Sequence, residues 1–237
     1  MGGGDERGGP RPELPRVGSS PSFSRRSSGE QVAAYIRSLI FNGQLRHGDR
    51  IRQDELAATL GVSRIPVREA IIALDREGWI TSEPHRGAYV NGLDRAGIAD
   101  HYEMIGLLYG LAARRAPQRA SDEELEQLLE YPKLLKRASD PAEVYDVNEQ
   151  LIRRMFLAAA SPRLGAVSRV MQPVVPGNFF AVVPGAIEDQ KRGVARIARY
   201  LAARDADNAA DEWLRLLRRQ GEHVIELLQS SQLISGT

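Results

Sequence analysis

Gly61-Val62-Ser63-Arg64-Ile65-Pro66-Val67-Arg68-Glu69-Ala70 reads as a tight turn feeding a helix that begins with arginines. The run before it, Asp54 to Leu60, is amphipathic and stops at Gly61, which can take the left-handed conformation that ends a helix. Ser63 is placed as N-cap, its hydroxyl accepting from an orphan N–H of the next turn. Pro66 falls in that first turn, where a missing N–H costs little. Val67, Ala70, Ile71 and Leu74 recur at helical spacing and predict the buried face. Arg64 and Arg68 then share one side of the helix, so both guanidinium forks can reach one groove of duplex DNA. Helix, glycine turn and a second helix with basic N-terminal residues is the layout that seats a recognition helix in the major groove.

Downstream, two β-prone segments, Trp79 to Ser82 and Ala88 to Asn91, flank a polar tip containing Pro84 and Gly87. This is a hairpin signal, and a hairpin directly after such a helix is a wing. Its basic tip, His85-Arg86-Gly87, is expected to track the DNA backbone or minor groove. The plainer reading is a hairpin that packs only on its own domain, with the arginines as solvated charges. Basic residues at both the helix start and the hairpin tip weigh against it.

These blocks, with Gly48-Asp49-Arg50-Ile51 before them and Gly78-Trp79-Ile80 after, make residues from about 31 to 90 resemble the winged helix-turn-helix of the GntR family of bacterial transcription regulators. The resemblance implies DNA contacts from Ser63, Arg64, Ile65, Pro66, Arg68, His85, Arg86 and Gly87. Two positions depart from the family pattern: Ile65 where threonine is usual, and His47 where proline is usual. Losing the hydroxyl at 65 removes one phosphate contact.

Composition bounds what else the chain can be. Its 237 residues carry a net charge of +1, so DNA affinity must come from local placement rather than a global field. Cysteine is absent, which excludes disulfides and thiolate metal sites. No apolar run is long enough for a bilayer and no signal-peptide core is evident, so a cytoplasmic protein without membrane contact is expected. Only Lys133, Lys136 and Lys191 are lysines among the 32 basic residues; arginine is the better bidentate reader of guanine.

The expected fold is mainly α. Residues 1–28 read as a disordered tail, 29–92 as the winged domain with a small β-hairpin, 93–231 as an all-α antiparallel bundle, and 232–237 as a flexible end. Ser27-x-x-Glu30 opens the first helix as a capping box. In the bundle, Asp94 caps a helix that Pro117 is expected to stop at Ala116. Ser121 to Glu124 opens the next as another capping box, and Asp140-Pro141 and Ser161-Pro162 each pair a cap with a proline. Beyond the breakers Pro173, Pro176 and Pro184, Ala186 to Ala203 and about Asp207 to Leu228 complete roughly six helices, a bundle able to hold a ligand between facing helices. Gly177-Asn178-Phe179-Phe180 is left open between a lid and a dimer contact.

In length and helix order this half resembles the FCD effector domain of the FadR branch of the family. Tyr102-Glu103 with Leu111-Ala112-Ala113-Arg114, Ala159-Ala160-Ser161-Pro162 and Ala203 to Asp207 are the matching anchors. Many members hold a divalent metal with one aspartate and three histidines. The resemblance puts Asn148 at the aspartate and Ile152, Val194 and Leu216 at the histidines, so no metal and no cofactor is expected. His101 and His223 read as packing or surface histidines. An arginine that usually follows the Tyr-Glu pair is Ile105 here. The expected effector pocket is therefore apolar, lined by Ile105, Ile152, Val194 and Leu216 with Tyr102, Tyr109 and Asn148 as polar handles, and its small-molecule effector hydrophobic. The competing reading is that these aliphatics fill the cavity.

The sequence thus implies a homodimeric regulator, read as a repressor, of a palindromic double-stranded DNA operator. An enzyme is not expected, because the acidic residues fall at helix caps and on charge runs such as Glu123-Glu124-Glu126, and no glycine-rich phosphate loop follows a strand. A winged-helix adaptor between proteins is the alternative, disfavoured by Arg64, Arg68 and Arg86.

Overall fold

The computed structural model describes residues 27–84, 86–171 and 174–234. Residues 1–26 of the expected 1–28 tail, the tip residue His85, the breaker Pro173 and residues 235–237 of the expected flexible end lie outside these.

The N-terminal domain is built from α1 (Ser28–Phe41), β1 (Arg50–Ile51), α2 (Gln53–Leu60), α3 (Arg64–Arg76), β2 (Ile80–Glu83) and β3 (Gly87–Val90). Both halves of the Ser27/Glu30 capping box form at the start of α1. Val32, Ile36 and Ile40 of α1 meet Val67, Ala70, Ile71 and Leu74 of α3 in the core. Gly61 ends α2 at φ 64° in the left-handed region, and Val62 N–H closes the turn on the Ala57 carbonyl at 3.0 Å. The wing is a three-stranded antiparallel sheet in the order β1-β3-β2, with Ile80 opposite Val90 and Arg50 opposite Tyr89. Strand β1 was not anticipated, since two residues carry no readable alternation.

The remaining helices are α4 (Arg95–Arg119), α5 (Asp122–Leu129), α6 (Tyr131–Arg137), α7 (Pro141–Ala158), α8 (Pro162–Val170), α9 (Phe179–Val182), α10 (Ala186–Ala202) and α11 (Ala206–Ser230). Helices α4 and α11 form the most extensive interface in the protein, and α10 lies alongside α11. Glycines let α4 and α11 approach closely. A Cβ at Gly110 would stand 2.8 Å from the Ala210 carbonyl oxygen, and one at Gly221 2.9 Å from Tyr102 Cβ.

Four expectations need correction. Pro117 does not stop α4, which continues to Arg119; in the last turn a proline removes only one hydrogen bond, and the Pro117 carbonyl accepts from Arg204 Nη1 at 2.9 Å. Ser63 occupies the N-cap of α3 but its hydroxyl makes no capping bond. Ser161 likewise caps nothing through its side chain; its hydroxyl accepts from Arg115 Nη1 at 3.0 Å. Eight helical segments, rather than about six, fill the described bundle, because Pro132 starts a new short helix directly after α5 and Asn178 caps the single turn of α9.

Candidate nucleic-acid interface and effector cavity

The front of α3 is solvent-facing. Arg64, Ile65 and Arg68 are exposed, Ile65 at 69%, while Pro66 and Val67 turn inward and anchor the helix to the core. An isoleucine so bare at a helix start contributes nothing to folding and leaves an apolar surface beside two guanidinium groups. Arg64 Nε pairs with Asp54 of α2 at 2.8 Å, an exposed ion pair of small worth that a phosphate could displace. Arg68 has no ion pair among the described residues.

At the wing, Arg86 pairs with Glu83 at 2.7 Å, and its carbonyl accepts from Tyr89 Oη at 3.0 Å. Gly87 sits at φ 117°, and a Cβ there would stand 2.9 Å from Arg50 Nε. Arg50 thus lies against the turn, a basic residue of β1 that sequence reading left out of the interface. Only its pairing opposite Tyr89 brings it there. The wing is fixed to the end of α3: Ser82 N–H donates to Asp75 Oδ1 at 2.8 Å, and Asn91 Nδ2 to the Gly78 carbonyl at 2.8 Å. Arg64 and Arg68 on α3 and Arg86 on the hairpin therefore belong to one connected body.

In the second domain a cavity of about 110 Å³ lies among α4, α7, α9, α10 and α11. Five of the seven residues expected in the pocket line it: Tyr102, Ile105, Tyr109, Asn148 and Ile152. Val194 and Leu216 do not; both are buried between α10 and α11, where Leu216 covers Gly193. Phe179 and Phe180 of the segment left open as lid or dimer contact form part of the wall.

Among the lining residues that the sequence reading did not include are two glutamines. Gln190 and Gln220 are 2% and 5% exposed, and they join Asn148 in a chain. Gln220 Nε2 donates to Gln190 Oε1 at 2.7 Å, and Gln190 Nε2 to Asn148 Oδ1 at 2.5 Å. Gln190 precedes Val194 by one helical turn and Gln220 follows Leu216 by one, so each amide shares a face with an aliphatic residue. The legible signal was an amide on an otherwise apolar stripe (Ala186, Gln190, Val194, Ile197, Leu201).

This donor set does not fit a divalent metal. The Asn148 oxygen is already engaged, and Ile152, Val194 and Leu216 have no donor atom. Among the described residues no three His, Asp or Glu side chains are grouped to hold one.

The cavity walls are electrically quiet. Burial pushes the His101 imidazole down from 6.5 to about 4, so it is neutral at physiological pH. Burial likewise drives the Tyr102 and Tyr109 phenols up and keeps them protonated. Glu149, where the cavity adjoins an open groove between α7 and α8, is raised by burial and by neighbouring Asp146. The strongly charged groups lie elsewhere, on the seam of α10 and α11. There Glu212 pairs with Arg196 and Arg215, and burial would raise Asp189, but hydrogen bonds from Arg192 and His223 and the charge of Arg219 bring it below its usual value.

Comparison with known proteins agrees with this geometry. Residues 28–90 match the family described as "Bacterial regulatory proteins, gntR family", and residues 100–219 match the FCD domain. An HTH-type transcriptional regulator of Mycobacterium tuberculosis (strain H37Rv) is 34% identical over 160 residues, spanning 68% of this chain and 66% of that protein. The gluconate operon transcriptional repressor of Bacillus licheniformis is 32% identical over 124 residues, 51% of each chain. Among solved structures, Lar, which controls the expression of the Listeria monocytogenes agr system, superposes with a TM-score of 0.59 at 20% identity, covering 86% of this chain and 99% of Lar; this supports the fold alone. A winged helix with a basic leading face, followed by a helical domain of this pattern, places the chain in the GntR family of bacterial transcriptional regulators, with an FCD domain as its second half.

Proposed function

We propose that this regulator is a cytoplasmic repressor that binds a palindromic operator as a homodimer and answers to a small effector held in the α4–α11 cavity without a metal. The observation that carries the DNA reading is the bare front of α3, where Arg64, Ile65 and Arg68 are exposed beside the Arg86-Gly87 turn. One winged domain offers too small an interface for a specific site, so two copies reading two half-sites supply the affinity. An exposed apolar stripe on α4, Met104 and Leu107, suits the two-fold contact. The repressor direction follows the gluconate operon relative. The effector reading rests on a cavity that the aliphatic residues leave unfilled.

The test is electrophoretic retardation of DNA from upstream of the regulator's own gene. A discrete complex is expected, and it should vanish for the Arg64→Ala/Arg68→Ala double variant. No complex, or equal retardation by the double variant, would overturn the assignment.

A further inference from the structure

Ile65 has no part in the fold. It is 69% exposed, more than any other large apolar side chain among the described residues, and it is neither in the core nor packed against it. As a β-branched residue it gains the helix nothing over alanine, because it loses χ1 freedom against the preceding turn. Single exposed apolar residues are ordinary on protein surfaces. What sets this one apart is its place.

Ile65 is the second residue of α3, and the buried Pro66 and Val67 behind it fix the rotation that turns it outward. Arg64 precedes it, and Arg68, three positions on, shares its face of the helix. In a helix-turn-helix the N-terminal residues of the second helix are those that meet the base edges. Ile65 is therefore carried into the major groove between two guanidinium groups.

What it can meet there is narrow. A phosphate oxygen would lose water against an isoleucine and gain no hydrogen bond. Of the groups that base pairs present in the major groove, the thymine C5-methyl is the apolar one. Nothing else on α3 is suited to an A·T pair, since its 13 residues include no Asn, Gln, Ser, Thr, His or Tyr. Arg64 and Arg68 match the two acceptors of guanine, and Glu69 can accept from the cytosine amine. The adenine edge, a donor beside an acceptor, is matched by an amide, which this helix lacks.

We propose that Ile65 is a specificity-determining residue that reads the C5-methyl of one thymine in each half-site engaged by Arg64 and Arg68. The proposal rests on the DNA reading above and adds to it a base identity recognised without a hydrogen bond. The departure at position 65 is then an exchange of a polar contact for an apolar one.

Duplexes selected by the full-length protein from a randomised pool supply the probe. The enriched site is remade with its thymines partly replaced by deoxyuridine, which lacks only the C5-methyl, and bound and free duplexes are separated by retardation and cleaved at uracil. Uracil is expected to be depleted from the bound fraction at one thymine in each half-site. Replacing that thymine completely should weaken binding about fourfold in one half-site and about fifteenfold in both, the scale of one buried methylene-sized group apiece. Ile65→Val keeps a branched apolar side chain and should retain the pattern. Ile65→Ser should lose it whatever its overall affinity, and the sites it selects should no longer require thymine there. Both variants change an exposed side chain, so their thermal unfolding should match the wild type. An enriched site that tolerates uracil at every thymine would overturn the proposal and leave the DNA reading standing. So would the same interference with Ile65→Ser, which would trace the methyl to another residue or to the shape of the duplex. Failure to enrich any sequence would overturn the DNA reading itself, and the proposal with it.

Discussion

At Arg68 the helix that fits the domain and the helix that fits DNA are the same object. Val67 beside it is fully buried, which fixes the rotation of α3 and turns the Arg68 guanidinium outward. Replacing Arg68 by alanine removes no packing, so folding should be unchanged. Operator affinity should fall by about 1–3 kcal/mol if the fork bonds a guanine edge, with preference relaxed at one position per half-site. Retardation assays on a set of single-base operator variants would read both effects; unchanged affinity would remove Arg68 from the interface. His101 makes a different kind of prediction. Its folded value of about 4 lies below the ordinary 6.5, so the unfolded chain binds more protons between those limits. The stability contributed by the neutral ring is complete above pH 6.5 and is lost as pH falls toward 4, up to about 3 kcal/mol. Denaturant unfolding of the wild type should show a slope over that window that His101→Gln lacks, and parallel curves would contradict it.

Among the elements, the pairing of α4 with α11 sets two competing effects against each other at Gly110. Alanine there gains about 1 kcal/mol of helix propensity. Its Cβ, however, would stand 2.8 Å from the Ala210 carbonyl oxygen, and a backbone atom cannot rotate away. Forced separation of packed helices costs about 1–3 kcal/mol, so Gly110→Ala should be net destabilising, read as a lower midpoint of thermal unfolding. Leu107, one turn before Gly110 on the same helix, is 54% exposed. Leu107→Glu should leave the fold intact, give a monomer by light scattering and weaken operator binding roughly 100-fold, as expected when two linked half-site contacts become one. Elements were legible in sequence where their cause is local. The capping boxes at Ser27 and Ser121, the Gly61 turn and the wing all follow from residues within a few positions of one another. Strand β1 and the full length of α4 were not legible, because Arg50–Ile51 exists as a strand only against β3 and the Pro117 carbonyl is met by Arg204, 87 positions later in the sequence. The cavity was read in part for the same reason. Asn148 and Ile152 come from one helix and one repeat, whereas the Asn148–Gln190–Gln220 chain is assembled from three helices.

At the scale of the molecule, the metal question becomes a question of stability. A ligand that binds only the native state raises stability by RT ln(1 + [L]/Kd), so a resident metal would make unfolding sensitive to chelator. With Ile152, Val194 and Leu216 unable to ligate, EDTA should leave the melting temperature unchanged, and elemental analysis should find no stoichiometric zinc, nickel or manganese. One tightly held transition metal per subunit would refute this. The α4–α11 pairing has a last consequence, in the order in which the chain is made. Its two helices are joined across the sequence, as in the Arg218–Glu103 bond that spans 115 positions. Translation at about 5–20 residues per second leaves α4 waiting for its partner for something like 6–23 s. The winged domain, complete by Val90, emerges before any of this and closes on contacts of its own. During synthesis the part that would grip DNA is therefore finished while α4 of the second half still lacks the helix it packs against.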